Sequence, residues 1–153
     1  MALKKKSARV RAVVPASRAA LVFTGGMPRT LGMRLVAQSR KRVVVEMPIR
    51  ELHRNRNGLV NGGAIMALAD ATGACGAVAN MPPGYRTGTL ESKTNFFAPG
   101  LGPLLKAVSI PLHIGRTTSV WQTTITNSGN NKRVAIVTQT QIYLPPPAEA
   151  KAD

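Results

Sequence analysis

Acidic residues are scarce in this sequence, which has 6 Asp and Glu against 21 Lys and Arg. The imbalance gives a formal net charge of +15, and 14 of the basic residues lie in residues 1–56. A surplus of this size attracts polyanions such as nucleic acid, anionic lipid or a phosphate-bearing small molecule. Charge alone does not choose among these partners, so the choice depends on motifs.

Cysteine and histidine are almost absent, with one Cys and two His in 153 residues. The lone Cys75 excludes an internal disulfide and is typical of a reducing compartment, so we expect a cytoplasmic protein. His53 and His113 belong to no His, Cys and Asp cluster with metal-ligand spacing, which predicts no metal site, and we expect no other cofactor. The sequence also lacks the glycine-rich loops of nucleotide-binding proteins and the G-x-S-x-G turn of serine hydrolases.

Aromatic residues make up only 4% of the chain, which leaves few stacking platforms for nucleic acid. No nucleic-acid-binding motif is present, so association through the basic residues 1–56 is a minor alternative. Long apolar runs are missing as well. The stretch closest to one, residues 62–81, is rich in Ala and Gly and carries Asp70, so no membrane span is predicted.

Strand and helix signals follow one another in an order typical of an α+β protein. Residues 1–29 predict a basic N-terminal arm or short helix, partly disordered, in which GGMPRT interrupts a helix over 19–30. An antiparallel sheet of about five to six strands packed over one central helix is predicted for residues 30–145, and a disordered tail for 146–153. The elements are two strands, one helix and four strands, over residues 31–38, 42–49, 63–80, 86–97, 104–114, 116–126 and 132–144.

The triplet Asn61-Gly62-Gly63 stands where the predicted helix begins. Asn61 is a favourable N-cap, and the glycine N–H groups lie at the positive end of the helix dipole, where they can hold a developing oxyanion. The alternative is an ordinary helix cap with glycines that a tight turn requires. The pattern alone favours this second interpretation.

Asp70 is the only acidic residue between Glu51 and Glu91, and it lies within the predicted helix. Such a carboxylate is a candidate general base if it faces a cleft. The alternative is a solvent-facing or salt-bridged residue. On the following strand, Thr89 is a candidate for orienting a water molecule, with Glu91 expected on the same strand face, although Thr is also an ordinary strand residue.

Five motifs in a fixed order carry a resemblance to a known family. They are LGMRLV, N-x-x-G-x-x-N-G-G starting at Asn55, ALAD ending at Asp70, TLESKTNFFAPG starting at Thr89 and GRTTSVWQTTITN starting at Gly115. Through them, residues 31–144 resemble the hotdog-fold acyl-CoA thioesterases of the PaaI-like group. The resemblance implies a long helix wrapped by an antiparallel sheet, and a homodimer that usually pairs into a homotetramer.

The resemblance also implies an active site between two subunits, where an acyl-CoA is hydrolysed to a free acid and CoA. Asn55 and the Gly62 N–H would polarise the thioester carbonyl, with Gly63 beside them against the substrate. Asp70 of the facing subunit would act as general base or nucleophile, and Thr89 would take the place of a water-orienting hydroxyl.

Asn61 departs from the family, which usually has His at this position. Asn can cap the helix and donate one hydrogen bond, but it cannot be an imidazolium. We expect hydrolysis to persist, and a non-catalytic or weakly catalytic acyl-CoA-binding hotdog protein is the alternative. A hydratase is disfavoured, because Cys75 stands five positions after Asp70, where the hydratases have His.

Coenzyme A carries phosphates, which suits the basic balance of the chain. Arg116 follows a turn glycine in HIGRTTS and is the first candidate for a phosphate contact, with Arg86 and Lys93 as further candidates. The alternative for Arg116 is a solvated charge in a hairpin.

Overall fold

The computed structural model describes residues 18–147, so residues 1–17 of the predicted basic arm and residues 148–153 of the predicted tail lie outside the described range. The described chain contains six strands, two α-helices and two short 3-10 segments. In chain order these are a 3-10 segment Arg18–Phe23, α1 Gly26–Thr30, β1 Arg34–Ser39, β2 Arg42–Pro48, a 3-10 segment Glu51–His53, α2 Gly62–Val78, β3 Arg86–Phe96, β4 Leu104–Ile114, β5 Thr118–Asn127 and β6 Arg133–Leu144.

The six strands form one antiparallel sheet in the order β1-β2-β4-β5-β6-β3. Burial alternates along the whole of β5 and most of β6, and the buried residues of the sheet contribute most of the core. Such alternation, in strands rich in Thr, Val and Ile, is typical of a sheet with one covered face. The predicted α+β class, with this sheet packed over one long helix, is confirmed.

Small residues on α2 let the sheet approach the helix closely. A Cβ added to Gly76 would lie 2.6 Å from the Trp121 ring, and one added to Gly73 would lie 2.6 Å from Gln139 Cδ. Real Cβ atoms do not come this close to other heavy atoms, so a side chain at position 76 would displace the Trp121 ring and one at position 73 would displace the Gln139 amide. Within residues 18–147, no helix is both long and apolar enough to cross a membrane.

Residues 18–30 pack against α2 and β1 as two short helical segments. Ala19 is buried, and the Cys75 thiol on α2 lies 3.6 Å from the Ala19 carbonyl oxygen. The predicted helix over 19–30 is interrupted, but at Thr24 and Gly25, and most of GGMPRT is itself helical because Gly26–Thr30 forms α1. Pro28 falls in the first turn, where a backbone N–H has no helical partner, so the proline does not break this helix.

Candidate active site

The loop before α2 is closed by hydrogen bonds that present the helix N-terminus. The Asn61 N–H donates to the His53 carbonyl at 2.7 Å, and Asn61 Oδ1 accepts from the Gly63 N–H at 2.7 Å. The second contact confirms the predicted N-cap. It occupies the Gly63 N–H, whereas the Gly62 N–H has no acceptor among residues 18–147.

Asn55 is held by the same loop. Its Oδ1 accepts from the Asn57 N–H at 2.9 Å and from the Leu59 N–H at 3.3 Å. Because both contacts are backbone donors, the side-chain atom between them is the oxygen, and the amide NH2 points away from the loop backbone. Asn55 therefore offers two N–H donors that the loop itself does not use.

Asn55 and Gly62 line one cavity of about 450 Å³ between the loop, α2 and the end of β3. Its walls are largely apolar and include Ile65, Phe96 and Phe97. A Cβ on Gly62 would lie 3.3 Å from the Phe96 ring, so the absence of a side chain here lets Phe96 pack closely against the start of α2. The structure thus brings two predicted carbonyl-binding groups together.

Asp70 lies eight residues further along α2 and is half-buried. Its Oδ1 accepts a hydrogen bond of 2.8 Å from the Thr89 hydroxyl, and Gln139 Nε2 lies 3.4 Å from the same oxygen. No residue in the described range donates to Asp70 Oδ2. The structure therefore brings Asp70 and Thr89 together and leaves one carboxylate oxygen open.

Glu91 does not share a strand face with Thr89, contrary to the sequence-based expectation. The β3–β6 register shifts between these residues, so Thr89 lies opposite Gln141 while Glu91 lies opposite Thr140. Residues directly opposite each other share a face, and Gln141 and Thr140 are consecutive on β6, so they face opposite sides. A bulge at this point adds one residue and reverses the alternation.

Within one chain, the two groups of site residues are separated. An α-helix rises about 1.5 Å per residue, so Asp70 stands about 12 Å from Gly62 along the helix axis. Asp70 and Thr89 also lie outside the cavity that Asn55 and Gly62 line. One copy of the chain therefore holds the predicted carbonyl-binding groups and the predicted catalytic carboxylate in two different places.

Two of the three predicted phosphate-binding residues lie at the same end of the sheet. Arg86 opens β3 opposite Leu144, and Arg116 lies in the β4–β5 turn, whose Thr117 carbonyl accepts from the Tyr143 N–H on β6. Both arginines are exposed. The third residue, Lys93, lies opposite Thr138 on the face of β3 that points away from α2, so the structure does not place it with Thr89.

A second cavity of about 620 Å³ lies on the other side of the α2 N-terminus, against α1. Its lining includes Asn61, Ala64 and the buried His53, whose Nδ1 accepts from the Arg50 N–H at 3.0 Å. Burial, followed by the Arg50 charge, lowers the pKa of His53, and the Leu31 backbone acts in the opposite direction. In the described ranges, no three His, Cys, Asp or Glu side chains are grouped so that they could hold a metal ion.

Gln139 and Gln141 are buried residues of β6 that face α2, and neither was predicted from the sequence as a site residue. Gln139 contacts Asp70, and Gln141 Nε2 donates to the Thr89 hydroxyl at 2.7 Å. The available signal was a pair of glutamines two residues apart in an apolar and Thr-rich strand, VAIVTQTQIYL. Buried amides favour sites with partners, and the partners that these two have are Asp70 itself and the threonines of β3.

Residues 57–134, about half of the chain, match the family model of the thioesterase superfamily. The chain is 28% identical over 102 residues to a 1,4-dihydroxy-2-naphthoyl-CoA hydrolase from Listeria monocytogenes, covering 67% of this chain and 83% of the relative. It is 42% identical over 62 residues to a putative esterase from Deinococcus radiodurans, covering 38% of each protein.

Solved structures share the fold. A thioesterase family protein from Silicibacter pomeroyi matches with a TM-score of 0.79 and 24% identity, covering 83% of this chain and 96% of that one. The E. coli PaaI protein matches with a TM-score of 0.74 and 21% identity, covering 83% and 90%. These likenesses confirm the hotdog fold, and the chain belongs to the thioesterase superfamily.

Proposed function

We propose that this protein is an acyl-CoA thioesterase whose active site forms between two copies of the chain. The observation that carries the proposal is the half-buried Asp70, which Thr89 holds by one oxygen at 2.8 Å while the other oxygen stays open. A carboxylate in this state can take a proton from water or attack a carbonyl carbon itself. The Listeria relative is named as the hydrolase of a CoA thioester, which supports this substrate class.

The reaction follows from the two groups of residues. The thioester carbonyl oxygen accepts hydrogen bonds from the Asn55 amide and the Gly62 N–H, which stabilise the negative charge that develops on it. Asp70 of the other copy removes a proton from a water molecule as the water oxygen attacks the carbonyl carbon. The carbon–sulfur bond then breaks, the thiolate of CoA takes up the proton, and the acid leaves. If Asp70 attacks directly, water hydrolyses the resulting acyl-enzyme anhydride.

The surface of β3 supports pairing of two copies. β3 is an edge of the described sheet, because it pairs with β6 on one side alone. Leu90 on β3, together with Phe96 and Phe97 at its end, is at least half exposed. The unpaired backbone groups of such an edge are a ready site for pairing with another strand, and these apolar side chains would be covered by it. We propose a homodimer through β3, and pairing of two dimers into a tetramer.

The charge of the chain suits the proposed substrate. Arg116 and Arg86 are exposed at one end of the sheet, where guanidinium groups can bind the phosphates of CoA. Lys93 remains a candidate only for a contact from the outer face. The one cysteine of the sequence is free and buried, in keeping with the cytoplasmic location that we propose.

The test measures release of CoA thiol from a panel of aromatic, branched and straight-chain acyl-CoA substrates. We expect the wild type to hydrolyse at least one of them and Asp70→Asn to lose about 100-fold or more in kcat, as for loss of a general base. Glu91→Gln is the matched control, because this carboxylate lies on the other face of β3 and accepts from Thr140. Equal activity of wild type and Asp70→Asn would contradict the proposed role of Asp70.

A binding protein on the same fold is the second candidate. It is favoured by Asn61, whose side-chain oxygen is occupied by the helix cap and cannot supply the imidazolium of the usual family residue. Calorimetric titration with the same acyl-CoA panel separates the two functions. A thioesterase turns over a ligand that Asp70→Asn still binds, whereas a binding protein binds in both forms and hydrolyses in neither.

A further inference from the structure

We propose that Gln141 positions the Asp70 carboxylate through the Thr89 hydroxyl, so that Asp70 Oδ2 is the reacting oxygen. This inference rests on the proposed thioesterase function and concerns residues that do not touch the substrate themselves. Gln141 is thus a positioning residue, and Thr87 and Gln139 complete the arrangement.

The contacts form one chain of hydrogen bonds from the sheet to the helix. The Thr87 hydroxyl donates to Gln141 Oε1 at 2.9 Å, and Gln141 Nε2 donates to Thr89 Oγ1 at 2.7 Å. Thr89 in turn donates to Asp70 Oδ1 at 2.8 Å. This series of hydrogen bonds links three residues on two strands to one oxygen of the Asp70 carboxylate.

The direction of each hydrogen bond follows from the chemistry of the groups. Asp70 Oδ1 accepts the Thr89 proton, so Thr89 Oγ1 must itself accept from Gln141, whose amide nitrogen therefore faces Thr89. Gln141 Oε1 then faces Thr87, whose single proton is shared between this oxygen at 2.9 Å and the Ile142 carbonyl oxygen at 3.0 Å. The amide nitrogen of Gln141 can only donate, so it fills an acceptor position on the Thr89 oxygen. The Thr89 proton then points to Asp70 Oδ1, and the hydroxyl cannot turn to accept from elsewhere without losing a partner.

Gln139, which lies on β6 and packs against Gly73 of α2, supports the same geometry. Its Nε2 lies 3.3 Å from the Asp70 carbonyl oxygen and 3.4 Å from Oδ1, and its side chain fits only because position 73 is glycine. Its Oε1 is buried and has no hydrogen-bond partner among the described residues. A buried acceptor left unpaired lowers stability, so packing alone does not explain glutamine at this position.

The bulge between Thr89 and Glu91 is what brings the Thr89 hydroxyl to Gln141 and Asp70. It puts Thr89 directly opposite Gln141, on the face that covers α2. Without the added residue, the alternation that places Glu91 on the outer face would place Thr89 there as well. Oδ1 is therefore occupied by the sheet, and Oδ2 is the oxygen left for the reaction.

A double-mutant cycle tests the proposal. We compare wild type, Thr89→Val, Gln141→Leu and the double variant, using the acyl-CoA that the wild type hydrolyses best. We expect Gln141→Leu to lower kcat by about 10- to 100-fold with little change in KM, the scale of a misplaced catalytic group. Because Gln141 acts through Thr89, adding Gln141→Leu to Thr89→Val should lower kcat by less than about twofold more.

Two further variants separate positioning from folding. Gln122→Leu removes a glutamine from the outer face of β5, and we expect wild-type kcat. Gln141→Glu keeps the side-chain shape but replaces the donor nitrogen by an oxygen, and should lose kcat as Gln141→Leu does. Circular dichroism checks the fold of each variant, and if Gln141→Leu does not fold, Gln141→Glu decides.

The outcomes distinguish this proposal from the function on which it rests. If Asp70→Asn loses activity while the Gln141 variants match Gln122→Leu, the positioning role is wrong and the thioesterase function stands. The positioning role is also wrong if the separate reductions in kcat of Thr89→Val and Gln141→Leu multiply in the double variant. Absence of any wild-type turnover overturns both proposals.

Discussion

The groups that hold the Asp70 side chain are all neutral. Its neighbours are a hydroxyl and an amide, and no described Lys or Arg forms an ion pair with it. The salt-bridged alternative considered from the sequence is therefore excluded within residues 18–147. Neutral donors fix the orientation of a carboxylate without bringing a positive charge to it, which suits the role that we propose for Asp70.

The buried Cys75 thiol makes the stability of the protein depend on pH. Burial raises the pKa of its thiol from 9.0 to about 12. The folded protein thus holds this proton more tightly than the unfolded chain. The protonated thiol therefore stabilises the folded state fully below pH 9, and this stabilisation is lost as the pH rises towards 12. Urea unfolding at pH 8 and about pH 10.5 should show the advantage of wild type over Cys75→Ala shrinking by about 2 kcal/mol. A difference that stays constant between the two pH values would contradict the burial of this thiol.

Most helices and strands could be predicted from the sequence. Local patterns give the bounds of β4, the N-cap of α2 and its start to within one residue, and the succession of strands and helix along the chain, since each depends on residues close together in the chain. The bulge in β3 and the pairing of Thr89 with Gln141 were not predicted. They depend on the register between two strands some 50 residues apart, which local alternation does not encode.

The contact between α2 and the sheet gives a stability prediction. A Cβ at position 76 would lie 2.6 to 2.7 Å from three ring atoms of Trp121, which is fully buried. We expect Gly76→Ala to lower the free energy of unfolding by about 1–3 kcal/mol, because overpacking outweighs the gain in helix propensity. Denaturant titration measures this value, with Gly129→Ala as the matched control, since its Cβ meets nothing within 4 Å. A Gly76→Ala variant as stable as wild type would show that the helix and sheet are not in close contact here.

One copy of the chain contains both groups of proposed site residues but does not bring them together. Asn55 and Gly62 share a cavity with Phe96, while Asp70 and Thr89 lie about two turns away along α2. The sequence predicted each part through the family motifs. Their separation follows from the helix geometry of one copy, and the proposed dimer through the β3 edge would bring them together.

Mixed oligomers test the shared site most directly. Asp70→Asn and an Asn55→Ala variant, co-expressed with different affinity tags, form heterodimers in which one of the two sites has all of its groups. We expect each variant alone to be nearly inactive and the purified heterodimer to regain about half of the wild-type kcat per dimer, as two-fold symmetry requires. A heterodimer no more active than its parents would show that Asp70 and Asn55 act within one chain and that the shared active site is wrong.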